Sequence, residues 1–256
     1  MRRVVGRTAL AVLLCAWLAW PLCAQEPPVH YWHQGAMPPG AIGSLQLQRG
    51  GPLPGFFQPV EIKAPKGALI SLAEEGGFAK FDKAPVTAGM LIGQVYRIRV
   101  MNIPMQEGLE VFPTIEVVNR LYTPPGQEVR FPIVIDLTLQ DLQFALQGKF
   151  VTRVIFLEDP RLAVPAKEDP AEQTWFEVGP GRDPLAIADQ LGRPVAILRM
   201  GARVPDAGTE PGLDFLFGCP PLVRYQPPEA IEEPSPEPTA AEPFQASLIG
   251  PARKRS

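Results

Sequence analysis

The sequence predicts a mainly β protein, an antiparallel β-sandwich with two short helices, on three observations. Residues 59–204 contain many short apolar runs of strand length, several of which alternate between apolar and polar positions. Proline and glycine, with 32 and 23 residues, separate these runs in the manner of turns. Two segments carry both a start and a stop signal for a helix. This combination favours two packed antiparallel sheets of the immunoglobulin-like or a related kind.

The strands are predicted from alternation and from runs of β-branched residues. In Val95–Met101, three apolar side chains fall on one face and two arginines on the other. Pro113 and Pro132 interrupt two of the runs. We expect those two strands at sheet edges or with bulges, because proline has no N–H to donate to the ladder. The predicted strands are Val60–Lys63, Ala68–Ala73, Val95–Met101, Val111–Val118, Phe131–Leu137, Val151–Glu158 and Pro194–Met200.

Two short helices are predicted between the strands. Thr138 is suited to cap a helix over Leu139–Gln147. Asp183 is suited to cap a second helix, which has Pro184 at its first position and Gly192 after its end. The predicted buried faces are Leu142, Ala145 and Leu146 in the first helix, and Ile187, Ala188 and Leu191 in the second.

Composition divides the chain into four predicted parts. Residues 1–24 form a signal peptide, and 25–58 form an extended lead segment rich in proline and glycine, with one short strand expected at Ser44–Gln48. Residues 59–225 form the sandwich-like body. Residues 226–256 form a tail rich in proline and glutamate, which we expect to be disordered because it has too little apolar surface to offset its chain entropy.

The first 24 residues have the three-part pattern of a secretory signal. Arginines precede the apolar run Thr8–Ala19, and cleavage is predicted near Ala24 and Gln25. The apolar run is too short to span a bilayer, so we expect a secreted or periplasmic protein without a transmembrane span. Trp, Pro and Leu precede Cys23, where bacterial lipoproteins have small residues, and this argues against a lipid anchor.

Charge and cysteine content narrow the function classes. The net charge of −3 argues against nucleic acid as a partner. Two of the three cysteines lie in the predicted signal peptide, which leaves Cys219 as the lone thiol of the mature chain. Its apolar neighbours favour a buried structural thiol, and an intermolecular bridge is the alternative.

The sequence shows no motif for a metal, a cofactor or a catalytic nucleophile. His30 and His33 are the only histidines, they lie among prolines, and no third ligand accompanies them. A nucleophile elbow of the Gly-x-Ser-x-Gly type is absent. We therefore predict no catalytic residue, no metal ligand and no cofactor.

Acidic residues on strands leave a carboxylate-dependent hydrolase as a minor hypothesis. The candidates are Glu116, Asp136, Glu158 and Asp159, and such a site needs two carboxylates facing one cleft. Alternation places Glu116 opposite Ile115, where a solvated or ion-paired role is normal. The arginines available as partners are Arg97, Arg99, Arg120 and Arg153.

Aromatic pairs supply the candidate binding residues. Tyr31 and Trp32 are adjacent, and Trp175 is followed by Phe176. Flat apolar rings suit the faces of sugars, so Tyr31, Trp32 and Trp175 are proposed stacking residues. Packing in a core is the alternative, and it is the commoner fate of such side chains.

One resemblance covers residues of about 45–204. The resemblance rests on four segments, GMLIGQVYRIRVMNIP, GLEVFPTIEVVNRLYTPPG, FPIVIDLTLQDLQFALQGKFVTRVIFLEDP and DPLAIADQLGRPVAILRMG. Together they resemble an uncharacterised family of secreted proteins from planctomycete bacteria. The resemblance implies export from a bacterial cell, and it implies no activity.

These observations support one main hypothesis and two alternatives. The main hypothesis is an exported, non-enzymatic β-sandwich protein that acts by surface contact with envelope proteins or glycans, inside the cell envelope or outside the cell. The first alternative is a module that binds carbohydrate or peptidoglycan. The second is the hydrolase with a carboxylate pair.

Overall fold

The computed structural model describes residues 37–51, 53–161, 163, 173, 175–179, 181–206, 208 and 210–225. The helices within these ranges are α1 Ala41–Gln48, α2 Leu139–Leu146 and α3 Pro184–Leu191, with a short 3₁₀ helix at Glu128–Arg130. The strands are β1 Phe57–Lys63, β2 Leu69–Glu74, β3 Gly77–Phe78, β4 Asp82–Lys83, β5 Val86–Leu91, β6 Val95–Met101, β7 Thr114–Val117, β8 Ile133–Asp136, β9 Val151–Glu158, β10 Gly192–Met200 and β11 Leu222–Tyr225. The predicted signal peptide, Cys23 and the predicted tail lie outside the described residues.

The strands form two sheets. The smaller sheet has four strands in the order β11-β5-β1-β8, and its β1–β8 pair is parallel. The larger sheet has seven strands, in the order β3-β2-β6-β7-β10-β9 with β4 also paired to β2, and its pairs are antiparallel. The predicted fold class, a mainly β protein with an antiparallel β-sandwich, is confirmed.

One apolar core is shared by the facing sides of the two sheets. Alternation places side chains from one face of the longer strands in this layer, as strand geometry requires. Its fully buried members include Val60 and Ile62 of β1, Ile98 of β6, Ile115 of β7 and Leu198 of β10. Helix α2 closes the same core with Leu142 and Ala145. The sandwich is therefore held together by ordinary apolar burial.

The opposite face of the seven-stranded sheet is covered as well. Near one end, Ile42 of α1 and Leu185 of α3 pack with Val118 and Ile197. Near the other end, a second cluster consists of Ala73, Phe112, Phe215 and Leu216. The body thus has a partial third layer, which the strand pattern did not predict.

The predicted strand at Ser44–Gln48 is wrong, because these residues belong to helix α1. Gly43 explains how the helix docks on the sheet. A Cβ atom at Gly43 would lie 2.6 Å from the Cα of Gly93, so the two backbones touch. The Gly43 N–H donates to Glu116 Oε1 at 2.8 Å. Long-range docking, not local propensity, selects the helix at this position.

The expectation that Pro113 places its strand at an edge is wrong for β7. This strand begins after Pro113, at Thr114, and lies between β6 and β10 in the interior of the sheet. The carbonyl oxygen of Pro113 accepts the Ile98 N–H at 3.0 Å, so the residue takes part in pairing only as an acceptor. The strand that follows Pro132 is β8, which is an edge strand as predicted.

Both predicted helices are present with their predicted caps. Thr138 accepts the Asp141 N–H, and Asp183 accepts the Leu185 N–H. The buried face predicted for α2 is confirmed. The face predicted for α3 is wrong in part, because Leu185 and Ala188 are buried and Leu191 is exposed. None of the helices in the described ranges has the length and apolarity that crossing a membrane requires.

Candidate functional site

A loop at the end of β7 carries the polar side chains of the candidate site. The N–H groups of Val118 and Asn119 both donate to the carbonyl oxygen of Val195, at 2.9 and 3.2 Å. The Leu121 N–H donates to Oε1 of the buried Gln58 at 2.8 Å. Because its backbone is tied to two strands, the loop is a rigid support for its side chains.

Arg193, near the start of β10, holds the same loop from the other side. Its Nη1 donates to Asn119 Oδ1 and to the carbonyl oxygen of Arg120, both at 3.0 Å. Asn119 Oδ1 also accepts the Arg120 N–H at 2.9 Å. Arg193 Nη1 therefore holds the loop, while the other N–H groups of Arg193 form no hydrogen bond with the residues that the structure describes.

Tyr122 brings the two guanidinium groups to one place. The Cζ atoms of Arg120 and Arg193 lie 4.3 and 5.0 Å from the centroid of the Tyr122 ring. Cation–π attraction at these distances orients both arginines toward the ring. Tyr122 is 67% exposed. It therefore forms an accessible apolar surface next to two positive charges.

The facing wall is the end of α1 and the turn that follows it. The N–H groups of Gly50 and Gly51 donate to the carbonyl oxygens of Leu47 and Gln46, at 3.1 and 2.8 Å. Gly50 has a φ of 76°, and a Cβ atom on Gly51 would lie 2.3 Å from the Gln46 oxygen. Both positions therefore require glycine, and the tight turn directs the chain back toward the loop.

These elements enclose an open concavity of about 600 Å³, which we call the arginine concavity. This volume falls in the range that holds small ligands. Its lining residues are Gln46, Gly50, Gly51, Leu53, Asn119, Arg120, Tyr122 and Arg193. The lining has two arginines and no acidic residue. Within the described part of the chain, neither arginine forms a salt bridge.

A guanidinium fork without a carboxylate partner suits an anionic ligand. Its parallel N–H groups match the two oxygens of a carboxylate or a phosphate, and such charge-assisted hydrogen bonds are stronger than neutral ones. The amide side chains of Gln46 and Asn119 add polar groups to the wall. The arrangement fits binding of an acidic ligand.

A second concavity, of about 520 Å³, lies at the other end of α1. Its lining includes Gly40, Gln94, Asp214 and Phe217. Beneath Phe217 lies Arg97, whose Cζ is 4.8 Å from the centroid of that ring. Burial, together with the nearby charge of Arg203, lowers the pKa of Arg97 to about 10. The lining has one acidic residue, so this concavity does not have the positive character of the first.

Of the predicted stacking residues, the structure describes Trp175. Its side chain is 51% exposed, and its ring lies 4.6 Å from Cζ of Arg153 on edge strand β9. It lines neither of the two concavities. Outside the described residues lie Tyr31 and Trp32, and also His30 and His33.

Cys219 is a free thiol of intermediate burial. Its Sγ accepts the Gly76 N–H at 3.4 Å, and it packs against the outer cluster that contains Phe112 and Phe215. The cysteine has a φ of 52°, in a left-handed turn next to Gly218. Its contacts link the segment before β11 to the turn after β2.

None of the four candidate carboxylates lines either of the two concavities. Glu116 and Glu158 pair with Ile197 and Gly192 of β10, five residues apart, which is about 17 Å of strand. Asp136 belongs to the smaller sheet, and Asp159 forms a salt bridge with Arg161. Each carboxylate therefore has its own surroundings.

Of the two roles expected for Glu116, solvated or ion-paired, the structure shows the ion-paired one, in the interior and not at the surface. The residue is fully buried under the third layer, and its partner is Arg199, which was not among the arginines considered. Arg199 Nη1 donates to Glu116 Oε2 at 2.7 Å. Covering of the outer face, which alternation does not reveal, converts this residue into a buried ion pair.

Sequence reasoning missed the residues of the arginine concavity. Asn119, Arg120 and Tyr122 stand between a strand and a Pro-Pro-Gly turn, and that position is a detectable signal for a functional loop. Arg193 gives no such signal, because it joins the site across 73 residues of sequence.

Among the residues that the structure describes, no group of three His, Cys, Asp or Glu side chains is placed to hold a metal ion. Comparison with models of protein families, with curated proteins and with solved structures finds no match to this chain.

Proposed function

We propose that this chain is an exported, non-enzymatic binding protein that acts by surface contact with an acidic glycan of the bacterial cell envelope. Export is supported by the sequence before Gln25, where arginines precede the apolar run Thr8–Ala19. The absence of a lipoprotein pattern around Cys23 favours a freely diffusing product in the periplasm or outside the cell.

The observation that carries the binding proposal is the pair Arg120 and Arg193 at one concavity without a carboxylate partner in the described residues. Uronic acids and the peptide stems of peptidoglycan carry carboxylates, which a guanidinium group binds in bidentate fashion. The exposed face of Tyr122 offers apolar surface for a sugar ring, as aromatic residues do elsewhere.

The size of the concavity favours a glycan over a protein partner. A volume of about 600 Å³ holds a small ligand or a short stretch of polymer. A stable protein interface instead buries roughly 800 Å² on each partner, over a much wider surface. A protein of the cell envelope is the alternative partner, and the size of the concavity favours it less than a glycan.

The test is binding of polygalacturonate, as a carboxylate-bearing glycan, and of dextran, as a neutral one, by isothermal titration calorimetry. We expect binding of polygalacturonate alone, and at least about tenfold weaker affinity in Arg120→Gln, because a charge-assisted hydrogen bond contributes roughly 1.5–3 kcal/mol. Arg182→Gln is the matched control. Arg182 is an exposed arginine that forms no salt bridge with the described residues.

Equal affinities of the wild type and Arg120→Gln would reject the concavity as the site. Equal binding of both polymers would reject recognition of an anion. A pull-down with isolated peptidoglycan, using the same variants, tests whether the carboxylates of its peptide stems are bound as well as those of uronic acids. Export is tested separately by mass spectrometry of the protein recovered outside the cytoplasm, which we expect to begin at Gln25.

A further inference from the structure

A row of buried polar side chains crosses the outer face of the seven-stranded sheet. Strand register places Arg97 beside Thr114, Thr114 beside Arg199, and Arg199 beside Thr152, on four adjacent strands. Arg97, Thr114 and Arg199 are 5%, 4% and 3% exposed. Two guanidinium groups are thus buried on either side of one threonine.

Positive charge exceeds negative charge in this row. Among the described residues, the carboxylate that contacts the row is Glu116, which accepts hydrogen bonds from Arg199 and from the Gly43 N–H of α1. Arg97 donates instead to the carbonyl oxygens of Phe112 and Phe215, at 2.8 and 3.0 Å. Those oxygens are neutral. The lowered pKa of Arg97, about 10, still leaves it charged near neutral pH.

One edge of the Arg199 guanidinium lacks a hydrogen-bond acceptor in the described residues. Its Nη1 is used by Glu116, but Nε and Nη2 have no hydrogen-bond partner in the described residues, and neither does the neighbouring Thr152 Oγ1. Nε–H and Nη2–H are parallel donors on the same side of a planar group. Buried donors without an acceptor are strongly disfavoured, so an acceptor is required at this place.

We propose that a small monovalent anion of chloride type binds inside the protein, between the Nε–Nη2 edge of Arg199 and the hydroxyl of Thr152. An anion supplies the acceptor for all three donors. It also balances the excess positive charge of the row. A water molecule supplies lone pairs but brings two further donors and no charge, so it fits the row less well.

The direct test is crystallisation of the full chain from sodium bromide. We expect an anomalous bromine peak beside Arg199 Nε, Arg199 Nη2 and Thr152 Oγ1. Density at that place without anomalous signal would identify a water molecule and overturn the proposal.

The solution test is the thermal midpoint in bromide or methanesulfonate at constant ionic strength. We expect the wild-type midpoint to rise by roughly 3–5 °C for each tenfold increase in bromide above its dissociation constant, with no rise in methanesulfonate, a bulkier anion that is neither a carboxylate nor a sugar. Thr152→Val keeps the shape of the side chain and removes the hydroxyl, so we expect less than half of that rise. Arg120→Gln, at the arginine concavity, should keep the full rise.

A bromide response that is equal in the wild type and Thr152→Val would contradict the proposal. So would a response that disappears in Arg120→Gln, because the ion would then bind at the surface. These outcomes are independent of any glycan, so failure here leaves the proposed function intact.

Discussion

Two pairs of arginines in this protein have opposite surroundings. Arg97 and Arg199 are buried on the outer face of the seven-stranded sheet. Arg199 forms an ion pair with Glu116, and Arg97 contacts backbone carbonyl oxygens and aromatic rings. Arg120 and Arg193 lie at the end of the same sheet, around an exposed tyrosine, without a salt bridge among the described residues. The first pair holds layers together, and the second pair lines the open arginine concavity.

This difference shows that residue type does not decide the role of an arginine in this chain. A buried guanidinium needs partners inside the protein, because an unpaired charge in the interior is costly. A partly exposed one is solvated and keeps its N–H groups for a ligand. Substitutions at the two pairs should therefore change different properties.

The largest expected effect is at the buried pair. Glu116→Ala leaves the charge of Arg199 and the Gly43 N–H without their acceptor, so we expect a loss of about 4 kcal/mol in the free energy of unfolding. Urea denaturation measures it. The double variant Glu116→Leu with Arg199→Met should recover most of this loss, because it removes both charges. A loss below about 1 kcal/mol in the single variant would show that the pair is solvated.

A smaller loss is expected where α1 touches the sheet. Gly43→Ala adds a Cβ atom 2.6 Å from the Cα of Gly93, a backbone atom that has little room to move. Helix propensity favours alanine over glycine by about 1 kcal/mol, but we expect the steric clash with Gly93 to cost more. The expected net result is a loss of roughly 1–3 kcal/mol in the free energy of unfolding. Ser44→Ala, on the exposed side of α1, is the control. Stabilisation by Gly43→Ala would mean that α1 does not pack on Gly93.

The smallest effect concerns Tyr96 in alkaline solution. Its hydroxyl accepts the Leu91 N–H and donates to the carbonyl oxygen of Pro221, both at 2.8 Å. Burial raises the pKa of Tyr96 from 10.0 to about 12. The native state therefore keeps a proton that the unfolded state releases. The stabilisation is complete below pH 10 and is lost as the pH rises to about 12.

Urea denaturation between pH 9 and pH 11, within that window, tests this linkage. In Tyr96→Phe we expect a smaller decline of stability with pH, together with a loss of about 1 kcal/mol near neutral pH from the hydrogen bonds. Tyr122→Phe removes an exposed hydroxyl and should leave the decline as in the wild type. If stability falls with pH as steeply in Tyr96→Phe as in the wild type, the fall comes from other groups and the linkage to Tyr96 is contradicted.

Local sequence signals predicted much of the sandwich. Val95–Met101 and Val151–Glu158 are strands with the predicted bounds, and the caps at Thr138 and Asp183 are present. These signals depend on alternation and on neighbouring residues, which the chain carries locally. Helix α1 is different, because it depends on Gly93 and Glu116, which lie far away in sequence.

The candidate site was less accessible to sequence reasoning for the same reason. Pairing of Arg193 with the loop of Arg120 follows from the register of β10 and β7, and register is a tertiary property. Alternation correctly placed Glu116 opposite Ile115. It could not show that a third layer covers that face.

The most direct measurement of the central claim compares Arg120→Gln with Glu116→Ala in two assays, polygalacturonate affinity and thermal midpoint. We predict that Arg120→Gln binds at least about tenfold more weakly with an unchanged midpoint. For Glu116→Ala we predict a thermal midpoint lowered by roughly 8–16 °C. At temperatures below that midpoint, its affinity for polygalacturonate should equal that of the wild type. Normal binding by Arg120→Gln, or equal loss of affinity in both variants, would contradict the division between a structural and a ligand-binding pair of arginines.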